Sequence, residues 1–286
     1  MSNFPDNIFG INAKEAYDRI MNASDKKPEE KKSTKQIDIS LEDYILLPRT
    51  SERSDLLIAK NRLVYDERIK TLAERIPAYS DLKNGNDGYI DKISFFEARN
   101  LLKELGSFML NPKLFVEFLN LLRSGNVLDG NKKQIDSKEL ETISNEIIGL
   151  RDPMRAEWLN HLYKSQVIDW NQVLGVNYEK KDSLGNLIQV TEVLDEKTLL
   201  EIKVLIESSG KVLGISLIEW LNNPTPQGLP KINVGPGDTL YWPPKDGKAV
   251  GFCVDSKARY LQLDLTPDMG KNIVGVREAK IYRGSQ

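Results

Sequence analysis

Few residues of this chain have both the type and the spacing to do chemistry, and the clearest set lies near its C-terminal end. In "ARYLQLDL" Tyr260, Gln262 and Asp264 alternate with Leu261, Leu263 and Leu265. That period of two puts an aromatic ring, an amide and a carboxylate on one face of a strand and three leucines on the other. Such a face is either a plain wet side of a sheet or a patch that binds a partner. With Asp255, Lys257 and Arg259 before it, and Asp268, Lys271 and Asn272 in the adjoining loop, it forms the candidate ligand-binding set. Arg and Tyr combine hydrogen bonds with large contact area, which suits compact recognition.

Other chemistry is poorly supplied. His161 is the sole histidine, read here on a helix beside Trp158 and Leu162 with no nucleophile at helical spacing, so it reads as structural. Cys253 is the sole cysteine, which rules out an internal disulfide and a cysteine-built metal cluster within one chain. "NGNDGYIDKISFFE" echoes a calcium loop, but with Gly88 in the sixth place its first and twelfth slots hold Lys83 and Ser94. A second echo before Leu140 has Leu128 in the first slot. Phosphate-cradling glycine motifs are absent. No catalytic residue, metal ligand or cofactor is therefore expected.

The elements that must position these residues follow from composition and periodicity. The chain has 286 residues, of which 40% are hydrophobic and 29% charged, with a formal charge of −2. These are ordinary globular values, with no field to draw in nucleic acid. No basic start followed by an apolar run, and no long apolar stretch, marks a signal peptide or membrane span, so the cytoplasm is the default location. Residues 1–37, containing "SDKKPEEKKSTKQ", read as a flexible tail and linker.

Residues 38–163 read as a helical domain. Ser40 with Asp43 marks a short helix before Pro48, the leucines from Leu56 to Ile76 a long one, and Ser94 with Glu97 a third ending at Gly106. Asn111–Pro112, Asp136 with Glu139, and Asp152–Pro153 mark further starts. From 164 to 286 the pattern turns to strands, with a hairpin about Asp182 to Asn186, a helical or mixed stretch from Glu196 to Leu221, and "TLYW" as a strand. The fold class expected is α+β, an all-α N-terminal block followed by a β-rich module.

The frame "YWPPKDGKAVGF…LDLTPD…VGVREAKI" resembles the C-terminal module of the variable proteins of diversity-generating retroelements, which finish on a Gly-Phe-Arg-like strand matched here by Gly275, Val276 and Arg277. "RDPMRAEWL" and "TPQGLP" resemble an archaeal protein family that carries this kind of module. The resemblance implies a C-type-lectin-like scaffold displaying a polar face to a protein or cell-surface ligand, as a fixed or a diversified target of such an element, with no reaction. Two other readings stay open. One is an enzyme or small-molecule-binding protein with a pocket between the helical and β regions, using Arg155, Glu157 and His161. The other is a structural virion or scaffold protein. In the display reading the helical block carries or oligomerises the module. Convergent ionisable groups in a pocket favour the first of these, and a shallow polar patch favours display.

Overall fold

The computed structural model describes residues 40–82, 88–90, 93–168, 171–182, 186–194, 214–268 and 274–283, together with four residues near the N-terminus. By internal contacts, Met1–Asp38 and Ile39–Gln286 form separate units. In the first, strands β1 (Asn7–Ile8) and β2 (Ile11–Asn12) pair antiparallel. The remainder of the expected tail lies outside the described residues.

The second unit is mostly β. Its described residues build thirteen strands in two sheets, accompanied by five short α-helices. The expected all-α N-terminal block is thereby overturned. Local capping did place three helices correctly. Helix α2 (Phe95–Glu104) carries a capping box of Ser94 and Glu97. Helix α3 (Pro112–Ser124) is capped by Asn111 and stops at left-handed Gly125, and α4 (Ser137–Ile148) is capped by Asp136. Helix α1 (Glu67–Arg75) starts later than expected, on the side chain of Asp66.

Strands replace helices where apolar runs are buried on both faces. "YILL" forms β3 (Tyr44–Leu47) and "LLIA" forms β4 (Leu56–Ala59), nearly every residue buried. Short continuous apolar runs fit either state, so the leucine spacing misleads there. The same holds for β6 (Arg155–Ile168), expected to begin as a helix at Pro153. Ala156 and Trp158 enter one core while Leu159 and Tyr163 enter another. His161 thus sits on a strand, and Tyr163, drawn as the domain boundary, lies inside it.

The large sheet runs β10 (Pro236–Gly237), β9 (Gly214–Ile215), β11 (Thr239–Trp242), β13 (Arg259–Leu265), β12 (Ala249–Val254), β6, β7 (Asn171–Lys181) and β8 (Leu187–Val193), with β14 (Val274–Gly275) also on β6. The small sheet is ordered β3, β4, β15 (Glu278–Ile281) and β5 (Phe108–Met109). Central β12 is buried along its whole length, as a strand covered on both faces must be. On one face Leu159, Val250, Phe252, Leu261 and Leu263 pack with α3, α4 and the short α5 (Leu217–Asn222). On the other, Trp158, Ala249, Cys253 and Leu265 meet α1 and α2. Among the described residues, no helix is long and apolar enough to cross a membrane.

The turn from β14 to β15 carries a buried ion cluster. The Arg277 guanidinium, 1% exposed, donates to Glu157 at 2.6 and 3.2 Å, to Glu146 at 2.8 Å, and to the carbonyls of Ala59 and Lys60. These bonds use every N–H the side chain has. Burial would raise the Glu146 carboxyl, but Arg277 and Arg155 beside it hold it below its ordinary value. Gly275 is closely packed nearby, where a Cβ would stand 3.0 Å from Arg62 Nη1 and 3.1 Å from the Ile90 carbonyl, so a side chain would require these neighbours to give by a few tenths of an ångström.

Three substitutions test this architecture. Leu263 is fully buried and Gln262 half-buried on the opposite face. In chemical denaturation Leu263→Ala should cost about 2–5 kcal/mol, and Gln262→Ala under about 1 kcal/mol; the reverse order would invert the register of β13. Arg277→Met leaves two buried carboxylates facing an apolar chain. It should lower stability by about 3–5 kcal/mol, and a loss below about 1 kcal/mol would show the cluster to be dispensable.

Candidate functional site

A β-bulge makes the most distinctive local feature of the large sheet. Ala249 pairs with Leu162 and Val250 with Leu159, so Asn160 and His161 have no partner on β12. The Asn160 N–H turns instead to the Leu110 carbonyl at 2.7 Å, and its side-chain amide donates to the Glu179 carbonyl at 3.1 Å. Bulges of this kind re-aim side chains and gather near functional sites. Here the bulge brings the His161 ring to 5.2 Å from that of Tyr178 on β7.

Both rings line a cavity of about 460 Å³, within the range of small-molecule sites. Strands β6, β7 and β8 form one wall. The loop from Thr50 to Arg53 and the start of α3, with Asn111, Lys113 and Leu114, form another. Pro226 and Gln227 close an end. The Thr225–Pro230 turn is pinned there because Thr225 N–H donates to the Leu229 carbonyl and Trp220 Nε1 donates to the Gly228 carbonyl. Gly228 has φ +84° and lies so close to Pro112 and Lys113 that a Cβ would meet backbone atoms at 2.3–2.5 Å. Only glycine allows that approach.

The polar groups of the cavity are organised. Tyr178 Oη donates to Glu192 Oε1, and Gln227 Nε2 donates to Glu192 Oε2 at 3.3 Å. Arg53 pairs with Glu117 at 2.6 Å, Lys113 with Glu52 at 2.6 Å, and Glu179 with Arg99 of α2 at 2.6 Å. Lys113 draws the Glu52 carboxyl below its usual value, whereas burial and the bond to Glu192 raise the Tyr178 phenol. His161 is 1% exposed, and its Nδ1 has no hydrogen-bond partner among the described residues. Burial pushes its imidazole down to about 3, so it is neutral at physiological pH. A buried polar atom left unmet costs free energy.

The sequence-derived set on β13 is placed differently. Asp255 caps its own turn, accepting from Lys257 and Ala258 N–H at 2.7 and 2.8 Å and from the Tyr260 hydroxyl. That last bond, with burial, pushes the Tyr260 phenol up to about 12. Arg259 donates to the Ile148 carbonyl at 2.6 Å and pairs with Asp238. Gln262 accepts from Cys253 Sγ at 3.3 Å, and Asp264 pairs with Lys245 at 2.8 Å. Lys257 and Asp268 are exposed, and Lys271 and Asn272 lie outside the described residues. Burial raises the Cys253 thiol to about 12, which makes it a packing residue. Arg155 and Glu157, grouped with His161 in the pocket reading, belong to the buried ion cluster instead.

Among the described residues no group of three or more His, Cys, Asp or Glu is placed to hold a metal ion. The first calcium-loop echo falls partly outside the described residues. In the second, Asp129 Oδ1 accepts from Asn131 and Lys133 N–H at 2.8 and 2.9 Å, an ordinary turn. Comparisons of the chain with family models, with curated proteins and with solved structures find no match. The functional reading therefore rests on the site itself.

Tyr178 and Glu192 lie on the two arms of the expected hairpin, but their meeting with Gln227, 35 residues beyond Glu192, and with His161 across β6 and β7 has no mark along the sequence. One local signal was present. Asn160 and His161 are consecutive polar residues between Leu159 and Leu162, a break in alternation that a bulge produces.

His161 supplies a direct test. Its folded value lies below the ordinary 6.5 or so of an unfolded chain, so the unfolded state binds the extra proton between the two. The stability it contributes is complete above about pH 6.5 and is lost as pH falls toward 3. Between about pH 6.5 and 5, above the range where carboxylates dominate, wild-type stability should fall by up to about 1.4 kcal/mol per pH unit. His161→Asn should flatten that slope in urea titrations. An imidazole NMR signal titrating near its ordinary value in the folded protein would contradict the burial.

Proposed function

We propose that this chain is a non-enzymatic small-molecule-binding protein whose ligand occupies the cavity between β6–β8, the start of α3 and the Thr50–Arg53 loop. The observation that carries the reading is a cavity of about 460 Å³ walled by the buried ring of His161 and by the Glu192 carboxylate that Tyr178 and Gln227 hold in place. Apolar Leu56, Phe108, Leu114 and Ile188 supply contact area around a few oriented polar groups, the usual composition of such a site. Binding is favoured over catalysis because neither titrating ring is poised for proton transfer near neutrality. The imidazole is held too acidic and the Tyr178 phenol too basic.

The display reading drawn from the retroelement resemblance has some support in the register of β13 and in the Trp242 and Tyr260 rings, 5.8 Å apart on its half-buried face. The cavity has the stronger support. Side chains on the β13 face largely satisfy one another, whereas the cavity holds a carboxylate, Glu192, met only by neutral donors among the described residues.

Benzylamine, phenylacetate and benzyl alcohol, an apolar ring with three different head groups, are suitable probes. At least one should shift the imidazole resonance of His161 in the wild-type protein, and Ile188→Trp, which fills the cavity, should abolish the shift. If none of the three moves that resonance, the cavity is not a ligand site.

A further inference from the structure

The charge on the cavity wall is unequal. Carboxylates line it at Glu52, Glu117, Glu179, Asp182 and Glu192, against the cations Arg53, Lys113 and Lys180. Arg53 and Lys113 are committed to Glu117 and Glu52, and Glu179 is met by Arg99 from outside. Asp182 is used in the β7–β8 turn, where it accepts from Asn186 at 2.8 and 3.1 Å. Lys180 is exposed, and its charge acts on Glu52.

Glu192 differs from the other carboxylates. Its oxygens are met by the neutral donors of Tyr178 and Gln227. These bonds aim the carboxylate while leaving its charge without an ion-pair partner among the described residues. The phenol of Tyr178 donates to it, and the Tyr178 ring lies 5.2 Å from the imidazole of His161, tilted by 43°. A positive charge near such a carboxylate and aromatic face gains from both. An anion would find the nearest arginine and lysine already paired.

Resting on the binding function proposed above, we infer that the cavity selects an organic cation, a primary amine on a small apolar body. Its ammonium donates to Glu192 beside the Tyr178 ring, and its body lies against Leu56, Phe108, Leu114 and Ile188.

Calorimetry at neutral pH and low salt separates the charge claim from the binding claim. Benzylamine should bind wild-type protein at least about tenfold tighter than benzyl alcohol, and phenylacetate most weakly, each tenfold being a single step of affinity. Glu192→Gln, which keeps the size of the side chain, removes the charge and turns one of its two accepting positions into a donor, should erase the preference for the amine over benzyl alcohol. Equal or tighter binding of phenylacetate or benzyl alcohol by the wild type overturns the cation assignment and leaves the cavity as a ligand site. A Glu192→Gln protein that keeps the amine preference overturns the assignment in the same way. Binding of none of the three overturns both. The wild-type comparison decides the charge claim even if Glu192→Gln folds poorly.

Discussion

The constraint on which the rest of this fold depends is the burial of one guanidinium. Arg277 sits where β14 leaves the large sheet and β15 enters the small one, and its hydrogen bonds reach β6, α4 and the end of β4. Taking that charge from water is costly, and the cost is offset only if both carboxylates and both carbonyls arrive in the right geometry. The interaction therefore acts less as a source of stability than as a condition on placement. A register slip in β4, β6 or β15 would leave buried charge unmet.

That condition bears on the cavity. The Thr50–Arg53 loop joins β3 to β4, and the other wall begins on β6. Arg277 bonds to carbonyls at the end of β4 and to Glu157 of β6, so it ties the strand that follows the loop to the strand that carries His161. A second polar cluster on the small sheet continues the theme. Glu278 accepts from Tyr44 and Arg68, and Lys280 Nζ stands 3.5 Å from it. Burial and the Glu278 charge raise the Tyr44 phenol, so the hydroxyl stays a donor.

Within this frame the cavity owes its chemistry to an interruption. A regular β6 would continue its pairing with β12 through positions 160 and 161; the bulge releases both from that ladder and leaves the imidazole neutral and unmet beside Tyr178. The carboxylate of Glu192 is aimed by two neutral donors rather than by a cation. A site whose charge is oriented but not neutralised is prepared for a ligand, because the orientation is already established before binding.

The readings that held along the chain were those whose cause is local. Ser94 with Glu97, Asn111 before Pro112 and Asp136 satisfy N–H groups two or three residues away, so the starts of α2, α3 and α4 were legible directly. The Asp182–Asn186 turn and the alternation that buries Leu261 and Leu263 were legible for the same reason. Tertiary structure alone decided the state of Tyr44–Leu47, Leu56–Ala59 and the first part of β6, residues 155–163, because a run covered on both faces has no amphipathic period to read. It also decided the site. His161 was visible as a lone histidine, but the groups that give it meaning, Tyr178, Glu192 and Gln227, come together only when sheet pairing and the Gly228 turn close a cavity around them.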